Sequence, residues 1–193
     1  MPLPDARTLR RALDDYAAVV ARQDVARLPE LDAWYREELP ASIAGRATPC
    51  LTLAELVRLT EWKMARGVWR APNLVLVRGN DPALVEETSA AALAKIPHPT
   101  GPIATLATLR GVGPATASAA AAAAAPEHYP FFDELVAAQL PGLGEVKWTL
   151  GYYARYADAL RTMAGDLGGG WTPMLVERAL WSHAGGKAGT AAA

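Results

Sequence analysis

The sequence has one cysteine, Cys50, and very little of the alternation between apolar and polar residues that is typical of β-strands. A single cysteine excludes an intramolecular disulfide framework and a zinc site built from cysteines. The histidines, His98, His128 and His183, are scattered along the chain, so a metal site is not expected. We predict that the protein uses no metal and no cofactor.

Neither sign of charge is in large excess, because 19 Lys and Arg residues stand against 20 Asp and Glu residues, giving a net charge of −1. This balance argues against a strongly basic nucleic-acid binder, but not against a clamp made of backbone amides and a few arginines. No signal peptide or transmembrane span is found, since the alanine-rich stretch 115–125 is too short and too weakly apolar. We expect a soluble, intracellular, monomeric protein without a membrane partner, located in the nucleus if the organism is eukaryotic.

Alanine is abundant, and proline and glycine separate stretches of helical length, which together predict an all-α protein. Its 193 residues are enough for a sizeable core. Thr52 and Glu55 form a capping box that starts a helix. The connecting segment 40–50 contains two prolines and a glycine. The predicted organisation is an N-terminal helical arm at 1–50, a domain at 51–184 and a disordered tail at 185–193.

The most informative segment is 106–117, where Gly111 and Gly113 separate an apolar helix end from the alanine run. Glycines allow a tight turn with positive φ. The backbone amides of Val112, Gly113 and Ala115 can then face outward at the N-terminus of the next helix, where the helix dipole attracts an anion. The alternative is an ordinary turn between two helices. The pattern favours a phosphate-binding turn formed by Gly111, Val112, Gly113, Ala115 and Thr116.

This segment resembles the helix-hairpin-helix motif, a sequence-independent clamp on a DNA phosphate. Asp133 follows Gly113 by 133 − 113 = 20 positions and ends a Pro-Phe-Phe-Asp string. In the helix-hairpin-helix DNA glycosylases, a Pro-apolar-apolar-Asp string at this distance carries the catalytic aspartate. The sequences around Trp62 and Trp171 are similar to those of an uncharacterised eukaryotic branch of this superfamily.

The resemblance implies a glycosylase-like helical domain that binds duplex DNA, damaged or intact, and acts in base excision repair. Asp133 would stabilise an oxocarbenium-like sugar or position a water molecule. Ala115 stands where bifunctional members carry a Schiff-base lysine. A monofunctional glycosylase without lyase activity, or a member that has lost catalysis, is therefore implied. A helical protein-interaction domain with a purely structural hairpin remains the alternative from another class.

Several other residues have two interpretations. Asp133 also fits the N-cap of a helix, and one residue can fill both roles. Arg58, Trp62 and Arg66 are spaced at i, i+4 and i+8, opposite an apolar helix face, and could stack a base or contact the DNA backbone. Alternatively, Trp62 is buried and the arginine stems cover it. Further possible phosphate contacts are Arg110, Lys63, Arg70 and Arg78.

Overall fold

The computed structural model describes residues 3–191, and this part of the chain contains helices and turns but no strand. The predicted all-α class is therefore confirmed. A π-helical turn at Trp34–Glu38 lies between α3 and α4. The helices are α1 (Ala6–Asp14), α2 (Tyr16–Ala21), α3 (Leu28–Ala33), α4 (Leu39–Ala44), α5 (Leu53–Arg66), α6 (Ala71–Arg78), α7 (Pro82–Leu93), α8 (Gly101–Leu106), α9 (Pro114–Ala124), α10 (Glu134–Ala137), α11 (Leu150–Leu167), α12 (Pro173–His183) and α13 (Gly186–Ala191).

The alanine run forms α9, which lies in the core and contacts α4, α5 and α8. Its residues 115–123 are all buried. Because an alanine side chain ends at Cβ, neighbouring helices can approach this helix closely. The buried hydroxyl of Tyr35 donates a hydrogen bond to the carbonyl oxygen of Ala119 at 2.8 Å. The middle of α9 is thus fixed relative to the N-terminal helices.

The segment before Asp133 is tied to α9 on one side and to α11 on the other. The backbone N–H of Phe132 donates to the Ser118 hydroxyl on α9 at 2.9 Å, in a buried environment. The Tyr156 hydroxyl on α11 donates to the carbonyl oxygen of Phe131 at 2.6 Å. Both bonds lie in the interior, where polar groups without partners are costly. They fix the position at which the chain reaches Asp133.

Helix α5 begins as predicted, with a complete capping box. The Thr52 hydroxyl accepts the Glu55 N–H at 3.2 Å, and the Glu55 carboxylate accepts the Thr52 N–H at 2.8 Å. The helix packs on α3, α6 and α9, so it is covered on more than one face. Its last turn carries Lys63 and Arg66, the two residues of this helix that matter most for the site.

The N-terminal helices, predicted as an arm at 1–50, share one core with the rest of the chain. Helix α1 packs against α12 near the other end of the sequence. Tyr16 on α2 contacts Trp181 on α12, with ring centroids 5.5 Å apart. Both rings are buried, and they belong to the same hydrophobic cluster as the alanines of α9. In the structure, these helices are an integral part of the core.

The tail predicted to be disordered from residue 185 instead forms α13 at Gly186–Ala191. The backbone N–H of Ala188 donates to the Gln23 side chain at 2.9 Å, and Lys187 pairs with Glu134 at 2.6 Å. These partners lie far away in sequence, so composition alone did not indicate them. Residues 192 and 193 of the predicted tail lie outside the described residues.

The turn between α8 and α9 is held by Asn80, which follows α6. Its side-chain amide donates to the Arg110 carbonyl oxygen at 2.9 Å, and its carbonyl accepts the Arg110 N–H at 2.9 Å. Gly111 has the predicted positive φ, +76°. Gly113 does not, because it takes the extended conformation with φ −97°. The expectation of positive φ at both glycines is therefore wrong for Gly113.

Replacing Gly111 with alanine is expected to lower the free energy of unfolding by about 2–4 kcal/mol. A Cβ at this position would lie 2.8 Å from the Asn73 carbonyl oxygen and 2.9 Å from a Val77 methyl group, on a backbone that disfavours side chains. Gly113→Ala is the matched control. Its Cβ meets nothing within 4 Å, so we expect a change below about 1 kcal/mol. Urea unfolding measures both values, and equal destabilisation would contradict the difference between the two glycines.

Candidate functional site

A cavity of about 260 Å³ opens where the start of α9 meets the chain around Asp133. The end of α5 and the loop that follows it form another wall. The lining includes three cationic side chains, two carboxylates and three aromatic rings, together with backbone of the turn before α9. These residues are Lys63, Gly67, Val68, Arg70, Asn73, Gly113, Pro114, Ala115, Thr116, Phe131, Phe132, Asp133, Glu134, Trp148 and Lys187.

The N-terminus of α9 presents unpaired amides to this cavity. Helix α9 has Gly113 as its N-cap and no side-chain capping bond, and Pro114 at its first position has no N–H. Among the described residues, the N–H groups of Gly113, Ala115 and Thr116 have no hydrogen-bond partner. The helix dipole adds partial positive charge at the same point. The cavity therefore has an anion-attracting wall.

Val112 does not contribute an amide to this wall. Its N–H donates to the Leu109 carbonyl oxygen at 3.2 Å within the turn, and its side chain is buried. The prediction that the Val112 amide faces outward is thus wrong, because the tight turn uses that amide for its own closure. Gly111 supports the turn geometry and does not line the cavity. The unpaired amides are therefore those of Gly113, Ala115 and Thr116, and not the predicted set that began at Val112.

Asp133 lines the cavity and is also the predicted N-cap, here of α10. Its Oδ1 accepts the Leu135 N–H at 2.8 Å, whereas Oδ2 lies 3.7 Å from the Arg66 Nε, beyond hydrogen-bond distance. Burial raises the pKa of the Asp133 carboxyl, and the Arg66 charge together with backbone N–H groups opposes that rise. The carboxylate is thus buried, oriented and adjacent to open space.

Arg66 is a buried cation between two carboxylates and does not face solvent. It forms a close ion pair with Glu177 on α12, in addition to its contact with Asp133. Its guanidinium lies 4.5 Å from the centre of the Trp181 ring. Arg66 was predicted as a possible DNA contact, and its position corrects that prediction. Its structural effect on the site is to hold Asp133 beside a fixed positive charge.

Trp62 is also buried, which corrects its prediction as a DNA contact. Its ring stacks on Tyr35 with centroids 3.6 Å apart, and its indole N–H donates to Asp32 at 2.8 Å. The alternative interpretation of this residue, burial against the N-terminal helices, is the observed one. Arg58, one helical turn before Trp62, pairs with Glu30 at 2.9 Å, and its guanidinium lies 4.7 Å from the Trp34 ring centre.

Arg58 and Arg110 both lie away from the cavity lining. Arg110 is exposed on the turn, and its guanidinium donates to the Gly79 carbonyl oxygen at 3.3 Å. Arg70 has a different position, since it is exposed and lines the cavity. Of the predicted arginines, Arg70 is therefore the one placed to meet a ligand that enters.

Aromatic rings form the apolar part of the site. Trp148 is 46% exposed, and its ring lies 4.8 Å from that of buried Phe132. Trp69, in the loop after α5, is 54% exposed and follows the lining residue Val68. Exposed tryptophans are suited to stacking on a flat partner. The sequence did not indicate them, because only the fold brings 148 to the rim of this cavity.

Lys63 was predicted only as a possible phosphate contact, but the structure gives it a more specific environment. It is half-buried at the cavity wall, and no described residue forms a hydrogen bond or ion pair with its side-chain amine. Burial lowers the pKa of the Lys63 amine, the charge of Arg70 acts in the same direction, and Glu134 opposes it. A lysine with this environment is chemically distinct from a solvated surface lysine.

Comparisons of the chain with protein-family models, curated proteins and solved structures give no match. Within residues 3–191, no helix combines the length and apolarity needed to span a bilayer.

Proposed function

We propose that the protein binds DNA through the start of α9 and excises a base by hydrolysing its N-glycosidic bond. The observation that supports this most directly is the shared cavity, lined by the unpaired amides of Gly113, Ala115 and Thr116 and by the buried carboxylate of Asp133. Amides at a helix N-terminus suit a phosphate, and a carboxylate suits a sugar that develops positive charge. A nucleotide has both of these groups, a phosphate and a sugar, next to each other.

The size and the charges of the cavity are consistent with one nucleoside. Its volume of about 260 Å³ lies just below the roughly 300–1,000 Å³ that is usual for small-molecule sites. Arg70, in the segment that follows α5, adds positive charge at that wall of the cavity. A base turned out of the duplex would meet Trp148, whose ring is exposed and suited to stacking and rests on buried Phe132.

In the proposed reaction, Asp133 acts beside the sugar. Because Oδ1 is held by the Leu135 N–H, the carboxylate cannot rotate freely, and its second oxygen remains outside that bond. Arg66 at 3.7 Å favours the ionised form against the effect of burial. An ionised, oriented carboxylate stabilises an oxocarbenium-like sugar or positions the attacking water molecule.

A catalytically inactive DNA-binding module is the second candidate, and one observation favours it. Asp133 already has a complete structural role as N-cap of α10 and neighbour of Arg66. Such a role is enough to explain an aspartate at this position. In that case the amides of α9 would still bind phosphate, and only the chemistry would be missing.

Binding is tested by titrating the protein with duplex DNA at several salt concentrations. If two phosphates are neutralised, log affinity should fall with log salt at a slope of about −2, roughly tenfold between 50 and 200 mM. Gly113→Val should weaken binding about tenfold, since its side chain would project from the wall that a phosphate must approach.

Gly113→Val is expected to fold, because its extended backbone suits a β-branched residue and a Cβ there meets nothing within 4 Å. Gly165→Ala is the matched control, at an exposed glycine on α11 whose Cβ is equally unobstructed. Undiminished affinity in Gly113→Val would rule out the amide clamp. Affinity that is absent or independent of salt would instead favour a protein-interaction domain.

Base excision is tested separately, with duplexes that carry a panel of damaged bases. Alkali cleaves the strand at each abasic site formed, so fragment length reports the position of excision. Product on at least one lesion is the expected result. The absence of product on every lesion, together with retained binding, would favour the inactive module.

A further inference from the structure

Two lysines line the cavity, and their environments differ. The Nζ of Lys187 lies 2.6 Å from a carboxylate oxygen of Glu134, so its positive charge is paired. The side-chain amine of Lys63 has no ion pair or hydrogen bond with any residue in the described part of the chain, although Lys63 is half-buried. The amine of Lys63 therefore has no directly paired carboxylate, although the charge of Glu134, which is itself paired with Lys187, favours its protonated form.

Such an amine is suited to nucleophilic attack on a carbonyl carbon. Only the neutral form of a lysine carries the lone pair, and desolvation together with a neighbouring cation favours that form. Burial and the charge of Arg70 lower the pKa of Lys63 in this sense, and together they outweigh the opposing charge of Glu134. Lys63 also shares its cavity with Asp133 and the amides at the start of α9, which would hold the nucleotide.

We propose that Lys63 forms a Schiff base with the C1′ aldehyde of an abasic deoxyribose bound in this cavity, and that strand cleavage follows. The choice of substrate rests on the proposed function, because base excision leaves a sugar whose ring-opened form has an aldehyde at C1′. The hairpin itself offers no amine, since Ala115 stands at the corresponding position. In this protein the nucleophile comes from α5.

The chemistry balances without a further reactant. The Nζ lone pair attacks C1′, and a proton moves from nitrogen to the aldehyde oxygen to give a carbinolamine. Its hydroxyl takes a proton from solvent and leaves as water, and the product is an iminium. Loss of a proton from C2′ then places its electron pair between C2′ and C3′, and the C3′–O bond breaks to release the 3′ phosphate. Water hydrolyses the remaining imine and regenerates the lysine.

The test uses the full chain, a duplex with one natural abasic site, and sodium borohydride to reduce the imine to a stable amine. A covalent adduct on a denaturing gel is expected, with peptide mapping that places it on Lys63. Lys63→Arg should lose about twentyfold or more of the adduct, because it keeps the positive charge but has no primary amine. Lys95→Ala, at an exposed lysine bonded to Thr105, should trap like the wild type.

The other outcomes are decisive as well. An adduct on Lys187, equal trapping by Lys63→Arg, or no adduct in the wild type would overturn the proposal. A tetrahydrofuran analogue, which has no aldehyde, should bind without forming an adduct. Because abasic DNA has no base to remove, trapping is independent of excision. Excision without trapping would refute only the Schiff base at Lys63. Trapping on Lys63 without excision would refute only the proposed hydrolysis of the N-glycosidic bond.

Discussion

Replacing Asp133 with asparagine is expected to reduce base excision by about 100-fold or more, within the range seen for loss of an essential acid or base. The amide has no charge with which to stabilise a sugar cation and is a poor acceptor for a proton from water. The measurement is the rate at which alkali-sensitive sites form in lesion-containing duplexes. Affinity for the same DNA should stay within about threefold, because the amides at the start of α9 are unchanged.

The variant should also fold normally. An asparagine oxygen can accept the Leu135 N–H as the aspartate does, so the cap of α10 is retained. Arg66 keeps its ion pair with Glu177. Asp81→Asn is the matched control, since Asp81 caps α7 with a bond to the Leu84 N–H at 3.0 Å and lies away from the cavity lining.

Asp81→Asn should excise at the wild-type rate. If Asp133→Asn excises as fast as this control, the carboxylate is a structural cap and has no chemical role. Asp133→Ala separates the catalytic role from the capping role, because it removes the oxygen that caps α10 as well as the charge. It should therefore lose about 1 kcal/mol of stability that Asp133→Asn keeps.

Features that depend on a few neighbouring residues could be predicted from the sequence. The capping box of Thr52 and Glu55 and the N-cap role of Asp133 are confirmed, because the side chain and its partner amide lie within three residues. The positive φ of Gly111 also follows from local sterics. The resemblance placed Asp133 near the turn before α9, and both line the cavity.

Features that depend on packing between distant segments could not be predicted. The polar face of α5 indicated solvent exposure for Arg66, but Glu177, 111 residues away, provides a buried partner. Trp62 is similarly explained by Tyr35 and Asp32 from the N-terminal helices. A single amphipathic pattern shows which face of a helix is most apolar, and does not show whether another element covers the second face.

Replacing Arg66 with methionine is expected to lower the free energy of unfolding at neutral pH by about 3–5 kcal/mol. Methionine is chosen because its apolar side chain is long enough to fill much of the space that the Arg66 side chain occupies. The loss arises because Asp133 and Glu177 are left buried without their shared cation. Urea unfolding measures the change. Arg58→Met, on the same helix, is the control and should lose less than about 1 kcal/mol, because its ion pair with Glu30 is near the surface.

The pH dependence distinguishes an electrostatic loss from a packing loss. Burial already raises the pKa values of Asp133 and Glu177 in the wild type, and Arg66 opposes that rise. A carboxyl whose folded pKa is raised contributes stability below its unfolded pKa, about 4, and loses that contribution as pH rises through the folded pKa. Removing Arg66 raises the folded-state pKa values of Asp133 and Glu177 further. The pH range over which stability is lost then extends to higher pH.

The deficit of Arg66→Met should therefore be largest near pH 7 and should shrink as the pH falls and the two carboxyls become protonated. Adding Glu177→Gln to Arg66→Met should recover part of the loss at pH 7, since one buried negative charge is then absent. A deficit of the same size at every pH, unchanged in the double variant, would mean that Arg66 acts through packing against Trp181. In that case the charge beside Asp133 would not be what orders the site.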